Sequence, residues 1–160
     1  MVDYYAMPGA GERAWPGRLA AATVPHPDKA PSVEALLVED VAEAVGPKLD
    51  KRRFIPLVQM HEFEALLFSD CAAFARGVGR SSLGGKLQEI RDAFGSPEEI
   101  NDSPQTAPSK RVESLMPGYQ KPLYGALAAL EIGLPTIRAE CPHFATWLSR
   151  LERAPGTMMR

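Results

Sequence analysis

One stretch of eighteen residues, RFIPLVQMHEFEALLFSD at positions 53–70, constrains the fold of this chain more than any other. Residues 54–59 are a nearly unbroken apolar run, bounded upstream by the charged stretch 50–53. Such a run predicts a strand buried on both faces, the kind found in parallel sheets. Polarity then arrives at once, with Gln59, His61, Glu62 and Glu64 inside six positions. Apolar residues resume at Ala65, Leu66, Leu67 and Phe68, a run that suits a helix, and Ser69 or Asp70 can cap the helix after it. Carboxylates and an imidazole thus sit where a buried strand gives way to a helix. Ligands of open α/β sheets bind outside the carboxyl ends of the strands. The position suits a site, and the residue types suit metal or acid–base chemistry.

Around this stretch the chain reads as short elements, because 15 prolines and 13 glycines interrupt it often. The opening MVDYY looks like the end of a strand with Asp3 embedded in it. Residues 6–29 form a long, proline- and glycine-rich irregular segment that Trp15 can pin down. A helix is predicted over 32–45, with Ser32 as its cap and Gly46-Pro47 as its stop. Shorter helices are predicted over 70–76, 86–94, 108–116 and 123–132, the last ending at Gly133, with a final helix opening at Pro142. Leu87, Ile90 and Phe94 share one side of the second of these. Ser96-Pro97-Glu98-Glu99 fits a capping box with proline at the first helical position. Residues 77–85 read as a flexible glycine–serine loop, and 101–109 as a polar one. One convincing strand and one fragment beside six or seven helices leave two readings. Either the domain is mainly helical with a vestigial sheet, or its first strand or strands are missing, and the abrupt MVD start favours the latter.

A formal net charge of −2 argues against a globally basic nucleic-acid binder but leaves room for a local basic patch. No apolar run approaches the ~18 residues of a membrane span, and no signal peptide is visible, so a cytoplasmic protein is expected. Cys71 and Cys141 form no CxxC pair and read as cytosolic thiols. The sequence HEFE lacks the second histidine of the HExxH zinc pattern. His143 reads as a helix-start residue, and His26 carries no signal.

Four stretches carry a family resemblance: MVDYYAMP at 1–8, FIPLVQMHEFEALLFSD at 54–70, INDSPQTAPSKR at 100–111 and IGLPTIRAECPHFATWL at 132–148. Together they resemble the bacterial family labelled domain of unknown function 4276, in the family's order and over essentially the whole chain. The resemblance implies an α/β, Toprim-like fold: a small, mainly parallel sheet flanked by many helices. Residues 1–160 would form a single Toprim-like domain whose N-terminal part is absent. Such domains are similar to the metal-dependent domains of topoisomerases, primases and overcoming-lysogenization-type nucleases. Family members are thought to act beside ABC-type ATPases in anti-phage defence. In full-length relatives a strand and a glutamate-bearing loop precede the segment matching MVDYY. Here the first Toprim glutamate is absent, Asp3 matches the first aspartate of Asp-x-Asp, and Tyr5 stands where a second would be.

On that resemblance Asp3, Glu62 and Glu64 are expected to hold Mg²⁺ or Mn²⁺, hard cations that take oxygen ligands and position a phosphate for attack. Glu62, Glu64 and His61 are the expected catalytic residues. The alternative for the glutamates is a first helical turn, where the macrodipole favours them. The alternative for His61 is a hydrogen-bonded supporting role. Ser109-Lys110-Arg111 opens a helix, and Lys110 and Arg111 are the expected nucleic-acid contacts, with Lys121 a further candidate. Their alternative is a solvated basic turn paired with Glu113. The leading expectation is a metal-dependent phosphodiesterase or nuclease subunit of a defence module, partnered by an ABC-type ATPase and nucleic acid and by no membrane. The rival is a non-catalytic subunit that docks on the ATPase, and a small-molecule hydrolase using the same carboxylates is a third.

Overall fold

The structure is a computed structural model that describes residues 1–101 and 106–154, without the side chains of residues 26 and 27. Residues 102–105 of the expected polar loop, and the His26 side chain, lie outside the described residues. The chain is mostly helical with a two-stranded parallel sheet, an α/β arrangement. It divides into two compact units, Met1–Met60 with the chain from Thr146 onward, and His61–Ala145.

In the first unit β1 (Val2–Asp3) pairs in parallel with β2 (Val58–Gln59), in the register Val2 to Val58 and Asp3 to Gln59. The Val2 N–H donates to the Leu57 carbonyl at 2.9 Å and the Tyr4 N–H to that of Gln59 at 2.8 Å. The expected strand over 54–59 is therefore cut to its last two residues. Pro56 has no N–H to give a ladder, and the paired partner is itself only two residues long. The burial expectation holds better than the strand expectation, since residues 57–60 are all buried while 54–56 are half-buried. Without a strand partner, the Ile55 carbonyl accepts the indole N–H of Trp147 at 3.0 Å.

In a parallel pair, alternate residues direct their backbone groups to opposite edges. The N–H of Val58 points to the edge away from β1, and Oε1 of the buried Glu34 accepts it at 2.8 Å. Glu34 comes from α1 (His26–Val45), which begins at His26 and not at Ser32. Ser32 lies inside the helix and donates its hydroxyl back to the Asp28 carbonyl at 2.7 Å, so it caps nothing. Pro31 looks like a breaker, but this early in a helix it costs one ladder bond while buried Ala30 and Val33 pack beside it. Gly46, at φ 74°, ends α1 as expected. Tyr4, Met7, Val33, Leu37, Val58 and Met60 form the core of this unit, with Trp15 packed on it. Arg18 lies 3.7 Å over the Tyr4 ring and its Nε donates to the Tyr4 carbonyl.

The second unit is helical. The apolar run after Glu62 is a 3-10 helix, Phe63–Ser69, in which residues 64–68 are all buried. It leads into α2 (Cys71–Gly77), capped as expected by Asp70, whose Oδ1 accepts the Ala73 N–H at 2.8 Å. Then come α3 (Gly84–Arg91), α4 (Pro108–Leu115), α5 (Lys121–Ile132), α6 (Leu134–Glu140) and α7 (Pro142–Glu152), whose later residues belong to the first unit. Phe94 lies beyond the end of α3. The capping box at Ser96 does not form: its hydroxyl contacts Glu99 Oε1 at 3.3 Å, and residues Pro97–Glu99 make only a 3-10 turn. The α6 helix has no counterpart in the sequence reading, which ended α5 at Gly133 and placed no helix before Pro142, although Pro135 lies in the first turn of α6, where proline is tolerated.

The core of the second unit is built around Phe68 and Phe74, edge to face at 5.7 Å. Gly77 lets α2 approach α5, since a Cβ there would meet the Ala128 Cα at 2.7 Å. Cys71 and Cys141 are free and buried, and burial pushes both thiols up to about 12. Among the described residues no helix is long and apolar enough to cross a membrane.

Candidate functional site

The second unit brings together three of the residues singled out in the sequence, Glu62, Glu64 and Lys121. Glu62 precedes the 3-10 helix in extended conformation, and Glu64 lies in its first turn. Glu62 Oε2 accepts the backbone N–H of Ser109, in the first turn of α4, at 2.8 Å. Glu62 Oε1 accepts Lys121 Nζ, from the first residue of α5, at 2.7 Å. The same ammonium lies 4.0 Å from Glu64 Oε2. Two carboxylates thus share one cation, and one of them also caps a helix that supplies its own partial positive charge.

The electrostatics separate the two acids. Burial pushes the Glu62 carboxyl up, but hydrogen bonds from Lys121 and Ser109 outweigh it and hold the group below the usual range. Glu64 has only 4% of its side chain exposed. Burial raises its carboxyl, and the opposing pull of Lys121 does not compensate. Burial pulls the Lys121 ammonium down, and its bond to Glu62, helped by Glu64, takes it above its ordinary value. The nearby phenol of Tyr119 is raised by burial and then by Glu64 and Glu62. Neither that hydroxyl nor the buried Ser109 hydroxyl has a hydrogen-bond partner among the described residues. The cluster therefore holds one firmly ionised acid, one acid that keeps its proton more readily, a cation, and two unused hydroxyls.

His61 is buried, and its Nδ1 lies 3.2 Å from the Asn101 side-chain nitrogen. With the amide nitrogen as donor, Nδ1 is the acceptor of this contact. Asp3 belongs to the first unit, where its Oδ1 accepts the Tyr5 N–H at 2.8 Å. Lys110 is exposed and pairs with Glu113 at 2.8 Å. Arg111 donates through Nε to the Thr106 carbonyl at 2.8 Å and lies 5.3 Å from the centre of the Phe94 ring. The anion at the start of α4 is supplied by the chain itself, as Glu62. Among the described residues no group of three or more His, Cys, Asp or Glu side chains is arranged to hold a metal ion.

Sequence reasoning gave Lys121 only a minor part and gave Glu98 none beyond a local cap. Glu98 is buried, and its two oxygens accept the N–H groups of His143 and Phe144 at 2.9 and 3.0 Å, capping α7. Burial raises its carboxyl, and those two bonds only partly offset the shift. No local sequence signal marks either role, because both partners are far away along the chain.

A family model described as Domain of unknown function (DUF4276) matches residues 1–152. No curated protein and no solved structure matches the chain.

Proposed function

The chain belongs to the DUF4276 family, and from that premise we propose that it is the nucleic-acid-processing subunit of an ATPase-linked anti-phage module, with a Toprim-like, Mg²⁺- or Mn²⁺-dependent centre. The observation that carries this reading is the pair Glu62 and Glu64 gathered on the Lys121 ammonium. That ammonium is a stand-in cation between hard oxygen donors, and the two glutamates would hold a divalent metal in its place. A bound metal would polarise a phosphoryl oxygen and acidify a bound water. Glu62, ionised and anchored on α4, would fix the position of the centre. Glu64, whose carboxyl is raised in the metal-free protein, would give up its proton on taking the metal. Lys121, once released from Glu62, would face the phosphate charge.

A second reading is favoured by a different observation. Both oxygens of Glu62 are engaged in contacts that hold the second unit together, as Glu34 and Glu98 hold backbone N–H groups elsewhere. On this reading the carboxylates are structural, and the protein docks on its ATPase without cleaving anything.

The test is cleavage of single- and double-stranded DNA with and without Mn²⁺, run beside thermal melting under the same conditions. The enzyme reading expects Mn²⁺ to raise the melting temperature of the wild type and to support cleavage. It expects Glu64→Gln to abolish cleavage while the protein stays folded. A wild type indifferent to Mn²⁺ in both measurements removes the enzyme reading and leaves the docking one.

A further inference from the structure

The first unit contains a basic concavity that none of the foregoing uses. It is a cavity of about 390 Å³ lined by Lys51, Arg52, Ile55, Arg150, Arg153 and Ala154. Lys51 and Arg52 come from a 3-10 turn, Lys51–Arg53, whose N-cap Asp50 accepts the Arg52 N–H. Arg150 is in the last turn of α7, and Arg153 follows three residues later, just past its end. The two walls are tied together by the bond from the Trp147 indole to the Ile55 carbonyl.

Local acids account for only half of this charge. Lys51 pairs with Glu39, and Arg52 makes a two-pronged pair with Asp50. Arg150 and Arg153 pair with no acid among the described residues. A helix C-terminus favours a nearby cation, which gives one of the two arginines a structural reason to be there. It gives no reason for two arginines to join a lysine and a third arginine around one hollow. Like charges gathered without counter-ions repel, and a bound anion removes that repulsion. Arginine suits a particular anion, because its planar fork matches two oxygens of a phosphate at once. A volume of this size is at the lower end of small-molecule pockets and accommodates a nucleotide-sized group.

We propose that this cavity binds phosphate groups, with Arg150 and Arg153 as the principal contacts and Lys51 and Arg52 as a supporting rim. The phosphate can come from a nucleic-acid strand or from a free phosphorylated small molecule, and the chemistry at the arginines is the same. The proposal does not depend on the reading of Glu62 and Glu64, because it concerns binding and not cleavage.

The experiment measures binding of two probes to the whole chain: a fluorescent single-stranded oligonucleotide across a sodium chloride series, and inorganic pyrophosphate by calorimetry. The variants are Arg150→Gln/Arg153→Gln and a control with the same charge loss elsewhere, Arg13→Gln/Arg80→Gln. All four arginines are exposed, so the fold should tolerate both changes. If the source is a strand, the first variant loses at least tenfold in oligonucleotide affinity. Its salt slope falls by about 1.4, two single-strand phosphate contacts at roughly 0.7 each. If the source is a free phosphate, pyrophosphate binds the wild type and the first variant loses it, with the oligonucleotide unaffected. In either case the control variant keeps most of the affinity. The proposal is overturned if neither probe binds the wild type, or if both double variants lose affinity equally.

Discussion

Replacing Glu62 with glutamine should destabilise the protein, whereas the same change at Glu64 should not. The side chain of Glu62 makes two contacts of different worth. The N–H of Ser109 donates to it in a charge-assisted bond at 2.8 Å, and such bonds contribute roughly 1.5–3 kcal/mol. Glutamine keeps an oxygen in that position but loses the charge, forfeiting about half of the bond, or about 1 kcal/mol. The pair with Lys121 is 24% exposed on the glutamate side and 43% on the lysine side, and a pair of that kind is worth ~0.2–1 kcal/mol. The expected loss is therefore about 1–2 kcal/mol, which lowers the melting temperature of a chain this size by about 3–6 °C. Glu64 is different because its raised carboxyl shows that the folded protein disfavours its charge. At neutral pH Glu64→Gln should leave stability unchanged or raise it. The assay is urea and thermal unfolding of both variants at pH 7, repeated down to about pH 3 so that the series passes below the ordinary carboxylate value. A folded-state carboxyl raised by burial stabilises below the ordinary carboxylate range and loses that contribution as pH rises through the raised value. For Glu62, held low, the contribution is present above the ordinary range and is lost as pH falls through its depressed value. Wild type minus Glu64→Gln should accordingly fall with rising pH, while wild type minus Glu62→Gln should rise. Equal destabilisation by the two variants, or a stable Glu62→Gln, would refute the division of roles between them.

Lys121→Met removes the stand-in cation; on the metal reading it should increase the thermal stabilisation given by Mn²⁺, and on the docking reading Mn²⁺ should act on neither protein. Gly77→Ala should cost ~1–3 kcal/mol in urea unfolding, because its Cβ would be driven against the Ala128 backbone at 2.7 Å. Glu98→Ala should cost about 2–3 kcal/mol by leaving two N–H groups at the start of α7 without their acceptor, and hydrogen exchange should rise first at His143 and Phe144.

Local chemistry by itself determined a good part of this protein. Asp70 caps α2, Gly46 and Gly133 close α1 and α5, and the boundaries of α4 fall where Pro108 and the apolar spacing put them. Each of these depends on interactions within a few residues, which sequence displays directly. The family was legible as well, since its four matching stretches are linear. The burial of residues 57–60 followed from their composition. Their strand did not, because pairing needs a partner, and β1 offers only two residues. Tertiary packing carried α1 back through Pro31 to His26. The site divides in the same way. Glu62 and Glu64 stood out as acids at a change from apolar run to helix, yet the state of Glu62 was decided by partners 47 and 59 positions away, Ser109 and Lys121, and that of Glu64 by burial. A carboxylate's neighbours in sequence say little about which distant N–H or ammonium will meet it. That choice depends on how helices pack, and packing is where one glutamate became a cap whose charge is favoured and the other a buried acid whose charge is disfavoured.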